Sequence, residues 1–161
     1  MMRRFFSVLF MCSLFTLATP GAVTLSATQD RQTAHEDEAA REGIRAAINH
    51  YFRGHATGDA SHMRKAFLPT AHIEGIREGK FTSWTLDEYC ALFKGKPAGD
   101  ESTRVRTIDL IDVSGNSGMA KATLVHGATV FTDYFVLLKV GDEWRIANKV
   151  YSGRKNDGGR R

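Results

Sequence analysis

The chain has 161 residues, enough for one domain with a substantial core and too short for two ordinary ones. Its formal charge of +4 sits at the ends, in Arg3 and Arg4 near the start and in Arg154, Lys155, Arg160 and Arg161 against Asp157 in the tail. Between Thr28 and Tyr151 there are 16 Lys and Arg against 17 Asp and Glu, so the folding part has no concentrated basic surface and nucleic-acid binding is excluded as the expected function.

Residues 1–27 place Arg3 and Arg4 before an apolar run, Phe5 to Ala18, followed by Pro20 and Gly21. This is the pattern of a cleaved signal peptide, and the run is shorter than the roughly 20 apolar residues of a membrane span. An exported protein is expected, periplasmic or secreted, with no membrane span after cleavage. Cys12 leaves with the signal, and Cys90 then stands alone, so no intramolecular disulfide is expected.

A polar lead-in, residues 28–35, precedes a helical period from Glu36. Ile44, Ala47, Ile48, Tyr51, Phe52 and His55 recur at spacings of three and four. Gly54 and Gly58 end this helix, and Asp59 caps a second one, DASHMRKAFL. AHIEGIR and KFTSW read as short strands around a turn at Glu78 and Gly79. Thr85 caps a third helix, LDEYCALFK. From Thr103 the period changes to two, through TRVRTIDLIDV, MAKATLVHG, VFTDYFVLLKV and EWRIANKVY, with turns at SGNSG, at Gly127 to Thr129 and at Gly141 with Asp142. Helices first and an antiparallel meander last predict an α+β domain over residues 36–151, followed by a disordered basic tail, residues 152–161.

The blocks GDASHMRKAFLPTAHIEGIREGKFTSWTLDEY and FTDYFVLLKVGDEWRIANKVY resemble the putative lumazine-binding family of the nuclear transport factor 2-like superfamily. The resemblance implies a cone-shaped fold, three N-terminal helices packed in a strongly curved antiparallel sheet, with a pocket at the wide end. It implies no demonstrated ligand or reaction. Relatives in the superfamily include ketosteroid isomerases, scytalone dehydratase, polyketide cyclases and noncatalytic binding proteins, and fold does not choose among them. A homodimer through the outer sheet face is implied by the same analogy.

Alternation places Trp144, Ile146, Asn148 and Val150 on the inner face of the last strand, with Arg145, Ala147, Lys149 and Tyr151 outside. Phe131, Asp133, Phe135 and Leu137 match them on the preceding strand, and Ala120, Ala122, Leu124 and His126 on the one before. Asp133 and Asn148 are thus expected inside. His126 is expected near Asp133, where a carboxylate orients an imidazole and raises its pKa, giving either an acid–base pair or a hairpin-stabilising hydrogen bond. Tyr51 and His55, four residues apart, face the same space, with Trp84, Phe131 and Trp144 as walls and Tyr89 beside Trp84 on the floor.

Aligned with the isomerases, Gly75 stands where their general-base aspartate would, and Glu74 points to the other face, so ketosteroid-type proton transfer is disfavoured. His72, beside Ile73, has the wrong parity for the dehydratase pattern. No HExxH or CxxC spacing, Gly-rich phosphate loop or nucleophile elbow occurs, so neither metal nor cofactor is expected. The leading expectation is a binding protein for a small apolar or aromatic molecule. The alternatives are a lyase or isomerase using His126 and Asp133, and a noncatalytic interaction module.

Overall fold

The computed structural model describes residues 21–156, with side chains from Gln29 onward. Most of the expected signal segment, residues 1–20, and the tail beyond Asn156 lie outside the described residues. The chain divides after Thr33, and the sheet, core and cavity all belong to the compact unit that begins at Ala34.

Helix α1 spans Gly21–Thr57, α2 Ala60–Ala66 and α3 Leu86–Cys90, with a single 3₁₀ turn at Glu101–Thr103. The strands are β1 His72–Arg77, β2 Lys80–Thr85, β3 Val105–Ser114, β4 Ser117–His126, β5 Thr129–Val140 and β6 Glu143–Lys155. They form one curved, unclosed sheet in the order β2-β1-β6-β5-β4-β3. Every pairing is antiparallel except β1 with β6, because the chain crosses from one end of the sheet to the other between β2 and β3.

The polar lead-in is helical, so α1 begins before the expected Glu36. Between Ala22 and Glu42 the chain holds neither Gly nor Pro, so helix propensity carries it, and the side chains from Gln29 to Ala39 are exposed before Ala40 begins to pack against the core. Ile44, Ala47, Ile48 and Tyr51 then form the buried stripe. Arg41 Nη1 donates to the Ile111 carbonyl at 2.5 Å, tying α1 to β3. A Cβ at Gly43 would stand 2.3 Å from Trp144 Cδ1, so only glycine lets the indole lie against the helix there.

Asp59 caps α2 through the Ser61 amide at 2.8 Å. Thr85 and Glu88 form a capping box at α3. Helix α3 is shorter than expected, since Leu92 and Phe93 donate three residues back, to Tyr89 and Cys90, which tightens the turn. Cys90 is buried and unpaired. Ser152 to Lys155, expected in the disordered tail, continue β6 beside β5 as far as Thr129.

The strand phases agree with alternation on β4 and β5, where Ala120, Ala122, Leu124, Asp133, Phe135 and Leu137 are buried. Strand β6 does not keep one phase. Its register against β5 jumps from Val136 paired with Asn148 to Leu137 paired with Ile146, leaving Ala147 unpaired as a bulge. Trp144 and Ile146 face inward before the bulge and Lys149 is buried after it, while Asn148 and Val150 turn outward. One extra residue therefore exchanges the faces of everything beyond it.

Candidate functional site

The unit contains a cavity of about 330 Å³ lined by residues of α1, α3 and the inner faces of β1, β2, β4, β5 and β6. Its aromatic walls are Trp84, Tyr89, Phe131 and Tyr151. The Trp84 and Tyr151 rings are stacked, 10° from parallel with centroids 6.3 Å apart. Tyr151 reaches this position because β1 carries glycine opposite it. A Cβ at Gly75 would lie 2.5 Å from the Tyr151 ring. The position expected to lack the isomerase carboxylate is thus occupied by a neighbouring aromatic ring, and the Tyr151 hydroxyl is 2.5 Å from Thr82 Oγ1 on β2.

Three polar side chains meet at one end. Tyr51 donates its hydroxyl proton to Asp133 Oδ2 at 2.5 Å, and Lys149 Nζ donates to Tyr51 Oη at 2.9 Å and to Asp133 Oδ2 at 3.1 Å. Asp133 is 1 % exposed and Lys149 4 %. Such a pair holds together because neither charge can reach water, and removal of one partner leaves the other uncompensated. The Lys149 ammonium also lies 4.9, 5.7 and 4.8 Å from the ring centroids of Tyr51, Tyr89 and Tyr151, within cation–π range. Burial pulls Lys149 below its usual pKa, although the charge of Asp133 and its hydrogen bond act in the opposite direction. Burial, followed by the negative charge of Asp133, pushes both Tyr51 and Tyr89 up, so both phenols are protonated donors at neutral pH.

His55 and His126 form a second group, with ring centroids 5.5 Å apart. His55 Nε2 is 2.9 Å from the Tyr89 hydroxyl. Burial, then the Lys149 charge, puts the His55 pKa well below the usual value. Burial, then Arg106 and Arg104, lowers His126 to about 4. Both imidazoles are neutral at pH 7. Among the described residues two cavity-lining polar atoms, Asp133 Oδ1 and His126 Nε2, are buried without a hydrogen-bond partner.

Of the residues expected to line the site, Tyr51, His55, Trp84, His126, Phe131 and Asp133 do so. Trp144 and Asn148 do not, and the bulge at Ala147 is the reason for the second. Asn148 lies on the outer side of β6 and accepts a hydrogen bond from the His72 amide at 2.8 Å, satisfying the start of β1. Trp144 faces inward, but before the bulge, against Gly43. The expected His126–Asp133 pair is also corrected. His126 is paired with Thr129 and Asp133 with Ala122, so the two lie four registers apart on the β4–β5 ladder. The Asp133 partners are Tyr51 and Lys149, and the His126 pKa falls instead of rising because burial and arginines outweigh the carboxylate.

Alternation missed Lys149 and Tyr151 by assigning them to the outer face, and Arg77 and Arg104 were not singled out. One signal was available for Lys149. An aspartate placed inside an apolar strand requires a cation or several donors, and the adjacent strand supplied a lysine at the disfavoured parity. Among the described residues no group of three potential metal ligands occurs, and no helix is long and apolar enough to cross a membrane.

A helix-backed, curved six-stranded sheet around an aromatic and polar cavity defines a nuclear transport factor 2-like protein. The chain belongs to the putative lumazine-binding family, whose model matches residues 39–152. Among solved structures it is similar to a nuclear transport factor 2-like protein of unknown function from Silicibacter pomeroyi DSS-3, with 23 % identity, a TM-score of 0.64 and coverage of 70 % of this chain and 94 % of that one. Proteins so described from Shewanella baltica OS155 and Methylobacillus flagellatus KT each give a TM-score of 0.63. Their identities are 25 and 26 %, over 71 and 70 % of this chain and 94 and 90 % of theirs. A comparison with curated proteins finds no match.

Proposed function

We propose that the protein binds a small, planar, largely aromatic molecule in the cavity, with a donor group of the ligand on Asp133 Oδ1. The observation that carries this reading is that buried carboxylate oxygen, on a residue lining the cavity and lacking any partner among the described residues. An unsatisfied buried acceptor costs about 1–3 kcal/mol, and a buried ion pair adds little that apolar packing would not supply. A purely structural site would do better with apolar residues; a binding site gains a fixed acceptor. The volume lies at the lower end of the roughly 300–1,000 Å³ typical of ligand pockets, which suits one or two fused rings between Trp84, Phe131 and Tyr151. The family description supports a small-molecule ligand.

Native mass spectrometry of the purified protein, repeated after denaturation, tests the reading. A released small molecule at stoichiometric amount, lost in Asp133→Asn and kept in Asn148→Ser, is the expected result. Binding unaffected by Asp133→Asn in a folded protein would sink it.

The same proposal includes export, supported by the arrangement of Arg3, Arg4 and the apolar run, and a homodimer through the outer sheet face. Tyr134, Val136, Leu138 and Val150 are all exposed on neighbouring outward positions of β5 and β6. Apolar side chains grouped on one face are what an association surface requires.

A further inference from the structure

We propose that the ligand is an anion, an aromatic carboxylic acid or an equivalent flat acid, whose ring occupies the aromatic cavity and whose acidic group is held at the rim by Arg77 and Arg104. The inference rests on the binding reading above and specifies its ligand class. It starts from the charges that line the cavity. Asp133 is the sole acid among the lining residues, and Arg77, Arg104 and Lys149 are the bases. Asp133 is matched by Lys149 at 3.1 Å. Arg104 shares its charge with Asp100, 2.9 Å away, a residue that does not line the cavity. Arg77 has no carboxylate partner among the described residues. The wall therefore carries two guanidinium groups with no opposing lining charge.

Placement is as informative as charge. Arg77 is exposed and Arg104 partly so, which sets both at the solvent side of a cavity whose other end is the buried Tyr51, Asp133 and Lys149 cluster. The Arg77 guanidinium lies over the Phe131 ring, 5.9 Å from its centroid, which keeps this exposed cation beside a wall of the cavity. Arginine held in this way can offer two parallel N–H groups to a carboxylate. The neutral state of the cavity histidines agrees with this field, since after burial the charges that hold their protons off are Lys149 for His55 and Arg106 and Arg104 for His126. A flat molecule with a ring N–H at one end and an acid at the other would satisfy Asp133 Oδ1 and the arginines together.

Two matched probe pairs test the proposal by isothermal titration calorimetry on the purified protein: indole-3-carboxylate against indole-3-carboxamide, and 2-naphthoate against 2-naphthamide. The acid of at least one pair is expected to bind about tenfold tighter than its amide, the effect of one charge-assisted contact. Arg77→Gln should weaken acid binding more than amide binding and so remove most of that preference, and Arg77→Lys should restore part of it. Amides that bind as tightly as the acids, with both weakened by Asp133→Asn, would overturn the anionic class and leave the binding reading intact. A preference for the acids that survives both Arg77→Gln and Arg104→Gln would overturn the assignment to these arginines. Failure of all four probes at millimolar concentration, with no released molecule in the mass-spectrometric test, would overturn both readings.

Discussion

The two ends of the β5–β6 pair are made from the same kind of sequence and do opposite things. Near the Gly141 turn, Leu137, Trp144 and Ile146 are buried in the apolar core with residues of α1 and α2. Beyond the bulge at Ala147, the inner face of the same ladder presents Asp133, Lys149 and Tyr151 to a cavity. The first end is held by area removed from water; the second is held by a three-way hydrogen bond around two buried charges. A single unpaired residue separates them. A fold can thus keep a packed scaffold and a polar site on one strand without compromising either.

The largest expected effect comes from breaking the polar end. Lys149→Met leaves the Asp133 carboxylate buried without its cation and should cost about 3–5 kcal/mol in urea unfolding. The double variant with Asp133→Asn should recover much of this, and a single-variant loss below about 1 kcal/mol would mean that water reaches the pair. Ile146→Ala, at the apolar end, should cost about 2–5 kcal/mol by leaving a void, with no effect on the proposed ligand binding. Tyr51→Phe removes one donor from Asp133 and should cost about 1.5–3 kcal/mol by the same measurement.

Acid should weaken the polar end selectively. The His126 imidazole takes up its proton near pH 6.5 when unfolded and only near pH 4 when folded. Protons then favour the unfolded chain between these values, so stability should fall as pH drops from about 6.5 to about 4, and His55 acts in the same direction. His126→Asn should flatten that part of a plot of Tm against pH. An unchanged slope would show that the imidazole is already open to solvent. The smallest stability effect is expected on the outer face, where Val136→Glu should alter Tm little but shift the mass measured by light scattering from that of the proposed dimer to that of a monomer.

The sequence alone determined the element order, because hydrophobic period, caps and glycine turns are local properties. The stripe from Ile44 to Tyr51, the Asp59 cap and the Thr85 capping box all form as their spacing requires. Alternation placed Asp133 inward as well, since no irregularity interrupts β5 between Phe131 and Phe135. Only the tertiary structure decided which cation meets that carboxylate. Alternation carries a single phase along a strand, and the bulge that reverses it at Ala147 lies just before Lys149, where β6 gains β1 as a second neighbour beside β5. Nothing in the local sequence EWRIANKVY marks Ala147 as the extra residue, because alanine fits either face. The outward turn of Asn148 and the inward turn of Lys149 follow from the register of β6 against β5, which no short stretch of chain contains.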